Sequence, residues 1–119
     1  KLVGSNSPQL VRILLEASSA AYARHLRPDV KDAVFYLTQA SRIADSHNED
    51  EVHPTERLEL YEQLGKSYAF LGDYQNADIA LAKAESLFAA ASADPARIVS
   101  IRKRHETIKQ HLKSASTKP

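Results

Sequence analysis

The sequence predicts an all-α fold of two long helix-turn-helix units followed by a fifth helix. Three observations carry this expectation. Apolar residues recur at spacings of three and four, as in Tyr61, Leu64, Tyr68 and Leu71, which fall on one face of a helix. Two stretches of the chain repeat one pattern of small and large residues. Finally, 43% of the 119 residues are hydrophobic and only three are Gly, which gives one domain enough material for a real core.

Residues 1–7 are expected to form a flexible segment. Ser7-Pro8 then offers a capping hydroxyl and a proline for a first turn, where a missing N–H costs nothing. Leu10, Val11, Leu14, Leu15, Ser18 and Tyr22 continue the first helix to about Leu26, and Arg27-Pro28-Asp29 breaks it. A second helix from about Val30 to Ala44 carries Ala33, Leu37, Ala40 and Ile43 on one face. These two helices make the first unit, residues 8–45. The polar stretch Asp45 to Val52 lacks periodicity and reads as an exposed connection.

His53-Pro54-Thr55 restarts a helix and opens the second unit, residues 53–91. Gly65 stands beside the Tyr61/Leu64/Tyr68 stripe, where glycine costs about 1 kcal/mol relative to Ala. Another chain segment close enough to exclude a Cβ explains it. The following helix supplies Ala77, Ala80 and Ala84 with Leu81 and Leu87, so the two helices are expected to pack closely and antiparallel through the turn Leu71-Gly72-Asp73-Tyr74.

The two units overlay. Ala33, Leu37 and Ala40 fall on Ala77, Leu81 and Ala84 at one constant offset, and Leu15, Ser18, Ser19 and Tyr22 fall on Tyr61, Leu64, Gly65 and Tyr68. Ser19 then stands in the place of Gly65. After Ala93-Asp94-Pro95 a fifth helix, residues 95–113, carries Ile98, Ile101, His105, Ile108 and Leu112 in one stripe. It reads as a capping helix or as the first half of a third unit, and residues 114–119 as a flexible tail. The absence of Met, even at the first position, points to a piece of a longer protein.

Over residues 54–91, Tyr61-x-x-Leu64-Gly65-x-x-Tyr68 followed by Ala77-x-x-x-Leu81-x-x-Ala84 resembles the tetratricopeptide repeat (TPR). Tyr61 stands where that family often has Trp, and Leu81 where it often has Phe. The proline that usually closes the second helix is delayed to Pro95, so the unit exceeds the usual length of about 34 residues. With His53-Pro54 after a long acidic connection, it looks like the extended repeats of the kinesin light chain type. The resemblance implies a right-handed helical solenoid of two repeats plus a capping helix. It further implies a non-catalytic adaptor or scaffold domain that binds a peptide or helix of another protein in a concave groove.

Composition narrows the chemistry. Zero Cys removes disulfides, thiolate metal sites and cysteine nucleophiles. No apolar run approaches the roughly 20 residues that span a bilayer, and no signal-peptide core is present. The expectation is an intracellular, cytoplasmic protein with no membrane role, the nucleus remaining open. The five His show no pair at three- or four-residue spacing, which disfavours a metal site; His105, on an apolar stripe, reads as a satisfied core or boundary histidine. No phosphate loop, nucleophile elbow or catalytic triad is present, so neither an enzyme nor a cofactor is expected.

Formal net charge is +1, unevenly spread. Seven acids between Asp45 and Glu62 stand against Arg57 alone, whereas Pro95 to Pro119 holds seven Lys and Arg against Glu106. The helical wheel directs Ile13, Glu16, Ala20 and Arg24, then Glu59, Glu62, Lys66 and Phe70, then Val99, Lys103 and Thr107 toward the groove that the resemblance implies. Phe70 is the candidate anchor for a partner, its alternative being packing against a neighbouring helix. One known groove of the TPR family binds chaperone C-terminal carboxylates. The corresponding positions here are Glu16, Ala20, Glu62 and Lys66, whose acids would repel such a tail. Glu59 and Glu62 better suit a basic or mixed-charge partner, unless the acidic third and basic fifth helices neutralise each other. Arg97, Arg102, Lys103, Arg104 and Lys109 raise a nucleic-acid alternative. They spread around the helix without interleaved aromatics, which favours a solvated face. Self-association through an open solenoid end is a third possibility.

Overall fold

The computed structural model describes residues 7–116. Among them are five helices and no strands: α1 (Gln9–Ala23), α2 (Arg27–Asp45), α3 (Pro54–Phe70), α4 (Tyr74–Ser86) and α5 (Pro95–Ser116). The expected flexible segment 1–7 lies outside the described residues except for Ser7. The expected tail is shortened from its inner side, because α5 continues through Ser116.

Helix boundaries follow from caps and prolines. Ser7 Oγ accepts from Gln9 N at 3.4 Å across Pro8, which stands at the N-cap of α1 and offers no side-chain cap of its own. α1 ends earlier than the apolar pattern implied: His25 takes a left-handed conformation (φ 57) and Leu26 is extended. Pro28 consequently opens α2 from within its first turn instead of separating two helices. At α3, Pro54 follows an extended His53 whose Nδ1 accepts from Thr55 N at 3.1 Å. The α3–α4 turn is closed by Asp73 N donating to Tyr68 O (2.9 Å) and Gly72 N to Ala69 O (3.0 Å). This closure needs a left-handed residue, supplied by Gly72 at φ 81. Asp73 then caps α4 through Asn76 N.

α1 packs on α2, α3 on α4 and α5 on α4, while α3 also touches α1 and α2. The core joins all five helices: Leu15, Leu37, Leu58, Leu81 and Ile101 are fully enclosed within it. The paired positions Ala33/Ala77, Leu37/Leu81 and Ala40/Ala84 are all completely buried, so the overlay of the two units identifies equivalent core positions. A Cβ on Gly65 would lie 2.5 Å from Leu81 Cδ2 and 2.6 Å from Cγ. The close approach inferred at Gly65 is therefore made by the leucine of the facing helix.

Two expectations are corrected. Ser19 is exposed, and the buried small residues of α1 are Ser18 and Ala21, so Ser19 does not repeat the role of Gly65. Nor is the connection before α3 exposed throughout, since Val52 is fully buried. Arg57 holds that segment by donating to the carbonyls of His47 (2.7 Å), Asn48 (3.2 Å) and Val52 (3.0 Å), which satisfies backbone groups that no helix serves.

Candidate functional site

Contacts between α1 and α3 advance together along both helices, from Arg12 with Glu56 and Glu59, through Ser18 with Gln63, to Tyr22 with Phe70. α1 and α3 thus run parallel, side by side. Toward their C-terminal ends lies a cleft of about 330 Å³, lined by Ser19, Tyr22, Ala23, His25, Gln63, Lys66 and Ser67.

The rings of Tyr22 and His25 line one side of the cleft, and Phe70 packs against both. Phe70 meets Tyr22 edge-on at 6.1 Å between centroids and His25 at 6.1 Å, and Tyr22 meets His25 at 5.3 Å. Phe70 is still 37% exposed, so it packs on α1 and also offers a free surface. Of the two alternatives expected for it, packing against a neighbouring helix is observed. His25 reaches the cluster because its left-handed backbone ends α1 and turns the chain. Lys66 supplies the charge: it lies four residues before Phe70, on the same helical face, and no carboxylate lines the cleft.

Of the two expectations for Glu59 and Glu62, a free acidic face for a basic partner gives way to neutralisation, by Arg97 of the fifth helix at Glu62 and by Arg12 of the first helix at Glu59. Glu59 accepts from Arg12 Nη2 at 3.0 Å and from Gln63 Nε2 at 3.1 Å, and Arg12 also reaches Glu56 at 3.3 Å. The hydrogen bond that Arg12 donates to Glu59 is the leading cause that raises the Arg12 pKa above its ordinary value; burial opposes it, and the charge of Glu59 and the contacts of Glu56 add to it. Glu62 accepts from Arg97 Nη2 at 2.7 Å and from Nε at 2.9 Å. These carboxylates tie α1 to α3 and α3 to α5.

The other expected groove positions disperse. Ile13 is 52% exposed beside a separate shallow cavity that includes Pro8, Arg12 and Glu51. Glu16 and Ala20 are exposed outside the cleft, and Arg24 pairs with Asp29 at 3.4 Å beside the α1–α2 turn. Val99 is 61% exposed and lines no described cavity. Lys103 is exposed, while Thr107 lies in a second cavity with Arg104. The basic residues of α5 likewise separate: Arg97 is ion-paired, Arg102 sits over the Phe88 ring at 5.5 Å, Arg104 is half-buried, and Lys103 and Lys109 are exposed. They form no continuous basic stripe.

Sequence reasoning missed Tyr22, His25 and Gln63 as cleft residues. Tyr22 follows the core spacing, and nothing local shows that its ring turns to Phe70. A histidine just before a helix-opening Arg-Pro was the one available sign of a helix end. His105, in contrast, is the satisfied buried histidine expected, with Nδ1 2.6 Å from Glu85 Oε2 and Nε2 2.6 Å from Asp78 Oδ1. Among the described residues no group of three His, Asp or Glu is placed to hold a metal ion, and no helix is long and apolar enough to cross a membrane.

No protein-family model matches the chain, and no curated protein or solved structure matches it either.

Proposed function

We propose that this chain is a non-catalytic protein-interaction module that holds a peptide or helix of a partner protein in the α1–α3 cleft. The observation that carries this reading is the aromatic cluster in which the partly exposed Phe70 packs on the cleft-lining Tyr22 and His25, beside Lys66, which has no carboxylate partner among the described residues. Such a cluster gives an apolar side chain area to bury at little entropic cost, and a cation beside it favours an acidic flank on the same segment. The cleft is thus suited to an acidic-apolar segment, in place of the basic partner that Glu59 and Glu62 had implied.

The resemblance of residues 54–91 to the tetratricopeptide repeat supports the same reading, as does the parallel run of α1 and α3. On that view α1, α3 and α5 are the inner helices of a short right-handed solenoid, and the cleft is part of its concave face.

The test is a comparative capture from native extract, read by mass spectrometry, with the parent chain, a Phe70→Ala/Lys66→Glu variant and an Arg102→Glu/Lys103→Glu variant. Proteins that bind the parent and the α5 variant, and are lost with the cleft variant, are the expected result. Retention of every partner by the cleft variant refutes the proposal, and loss confined to the α5 variant moves the function to the basic helix.

A further inference from the structure

Four arginines of the described chain are half-buried: Arg12, Arg57, Arg97 and Arg104. Three have evident work. Arg12 binds Glu56 and Glu59, Arg57 binds three backbone carbonyls, and Arg97 binds Glu62. Arg104 has neither a carboxylate nor a carbonyl partner among the described residues. A guanidinium carries five donors, and none of the Arg104 nitrogens is sealed from solvent, so the fork is open to an incoming ligand.

Arg104 lines a cavity of about 230 Å³ with Ala69 of α3, Tyr74 of α4, and Thr107, Ile108 and His111 of α5. Spacings of three, four and seven put Arg104, Thr107, Ile108 and His111 on one face of α5. Tyr74 and His111 stack in parallel at 4.4 Å between centroids, and this pair forms a rigid wall. No acidic side chain lines the cavity. Nearby acids are committed elsewhere: Asp73 turns its carboxylate to Asn76 (2.8 Å to Nδ2), while Asp78 and Glu85 both hold His105.

We infer that this cavity is a phosphoryl-binding site, with the Arg104 fork as its principal ligand. Donors are in surplus there. Among the described residues the guanidinium has no acceptor and the His111 ring makes no hydrogen bond, whereas the Thr107 hydroxyl already donates to Lys103 O at 3.1 Å and is left to accept. A carboxylate has two oxygens for such a set. A phosphoryl group has three, and it pairs with the planar fork through two parallel bonds. The cavity shares no lining residue with the α1–α3 cleft, so this site stands or falls independently of the peptide-binding reading. Phosphate can arrive free or on a phosphorylated side chain, and the test separates these sources.

The experiment is a titration of ¹⁵N-labelled chain with inorganic phosphate at constant ionic strength, followed at Arg104 Nε–H and at the amides of Ala69, Thr107 and His111. Parallel arms use acetate and a short serine peptide in phosphorylated and unmodified forms. Saturable shifts confined to these groups are expected with phosphate and not with acetate. Arg104→Gln should abolish them. Arg104→Lys, which keeps the charge and loses the fork, should weaken binding roughly tenfold, equivalent to about 1.4 kcal/mol, and Lys109→Gln should leave it unchanged. A phosphopeptide that binds more tightly than inorganic phosphate assigns the site to a modified protein; equal binding assigns it to a free phosphate. Shifts that do not saturate, that spread over the exposed Lys and Arg, or that persist in Arg104→Gln overturn the inference. Thermal melts of each variant establish that the fold is intact.

Discussion

Replacing Gly65 with Ala should destabilise the protein, against the rule that Ala is the better residue inside a helix. Helix propensity alone favours Ala by about 1 kcal/mol. At this position the new methyl would stand 2.5 Å from Leu81 Cδ2 and 2.6 Å from Cγ. Leu81 is completely buried, and Cγ is not a free end that can swing aside, so either the leucine leaves its rotamer or α4 moves off α3. Such overpacking costs about 1–3 kcal/mol. The net effect is therefore a loss of about 0–2 kcal/mol, or up to roughly 8 °C in melting temperature for a domain near this size.

A double-mutant cycle makes the reasoning decisive. Leu81→Ala should cost about 2–5 kcal/mol by itself, through lost burial and the cavity left behind. In that background the obstruction is gone, so Gly65→Ala should stabilise by up to about 1 kcal/mol. The two substitutions should thus couple by about 1–3 kcal/mol, as neighbours in contact do. Urea denaturation of the four proteins, followed by far-UV circular dichroism, measures this. Equal stabilisation by Gly65→Ala in both backgrounds would refute the close-approach explanation of the glycine.

Two further predictions concern buried polar groups. His105 holds two carboxylates at once, with Nδ1 2.6 Å from Glu85 Oε2 and Nε2 2.6 Å from Asp78 Oδ1. His105→Leu should cost about 1–3 kcal/mol, toward the lower end because the two carboxylates are 36% and 32% exposed and can rehydrate. Hydrogen exchange should accelerate in α5 before α1 and α2, and uniform exchange would contradict the role of His105 as the α4–α5 clasp. The Tyr61 phenol has a raised pKa, first because burial disfavours phenolate and second because of Asp45, whose Oδ1 lies 3.4 Å from the hydroxyl. Its folded-state pKa exceeds the unfolded value of about 10, so this contribution to stability is complete below that pH and is lost as pH rises through the folded pKa. Spectrophotometric titration should find Tyr61 ionising above the ordinary tyrosine range, and Asp45→Asn should lower its pKa only in part.

Much of the fold was legible because it rests on local periodicity. Spacing alone put Ala33, Leu37, Ala77 and Leu81 at one interface type, and all four are buried. Gly65 was informative because a helix tolerates glycine poorly, which made the close approach inferable without knowing that Leu81 supplies it. His53-Pro54 marked the start of α3 by chemistry that acts within a few residues. What failed depended on which helices meet. Ser19 has the size and register of Gly65, yet α1 turns it toward the cleft, and no spacing within α1 encodes that rotation. Val52 lies in a polar stretch, and its burial depends on Arg57 gathering three carbonyls from the segment before α3.

Charge shows the same division more sharply, and it decides what a partner would meet. The sequence has an acidic middle and a basic end, from which an acidic groove was a reasonable expectation. Folding brings Arg12 and Arg97 onto Glu59 and Glu62 from two different helices, so the acids nearest the groove become ties between helices. Bonds of this kind between partly exposed groups add little stability each, about 0–1 kcal/mol, but they remove those charges from recognition. A ligand responds to the groups left unsatisfied. In two of the cavities that α3 borders these are Lys66 and Arg104, and no acid lines either, whereas the cavity at the start of α3 holds Glu51 and Glu56. The acid-rich third helix thus borders two cation-lined hollows. This reversal arises from pairing across helices, so it is invisible to any count of charge along the chain.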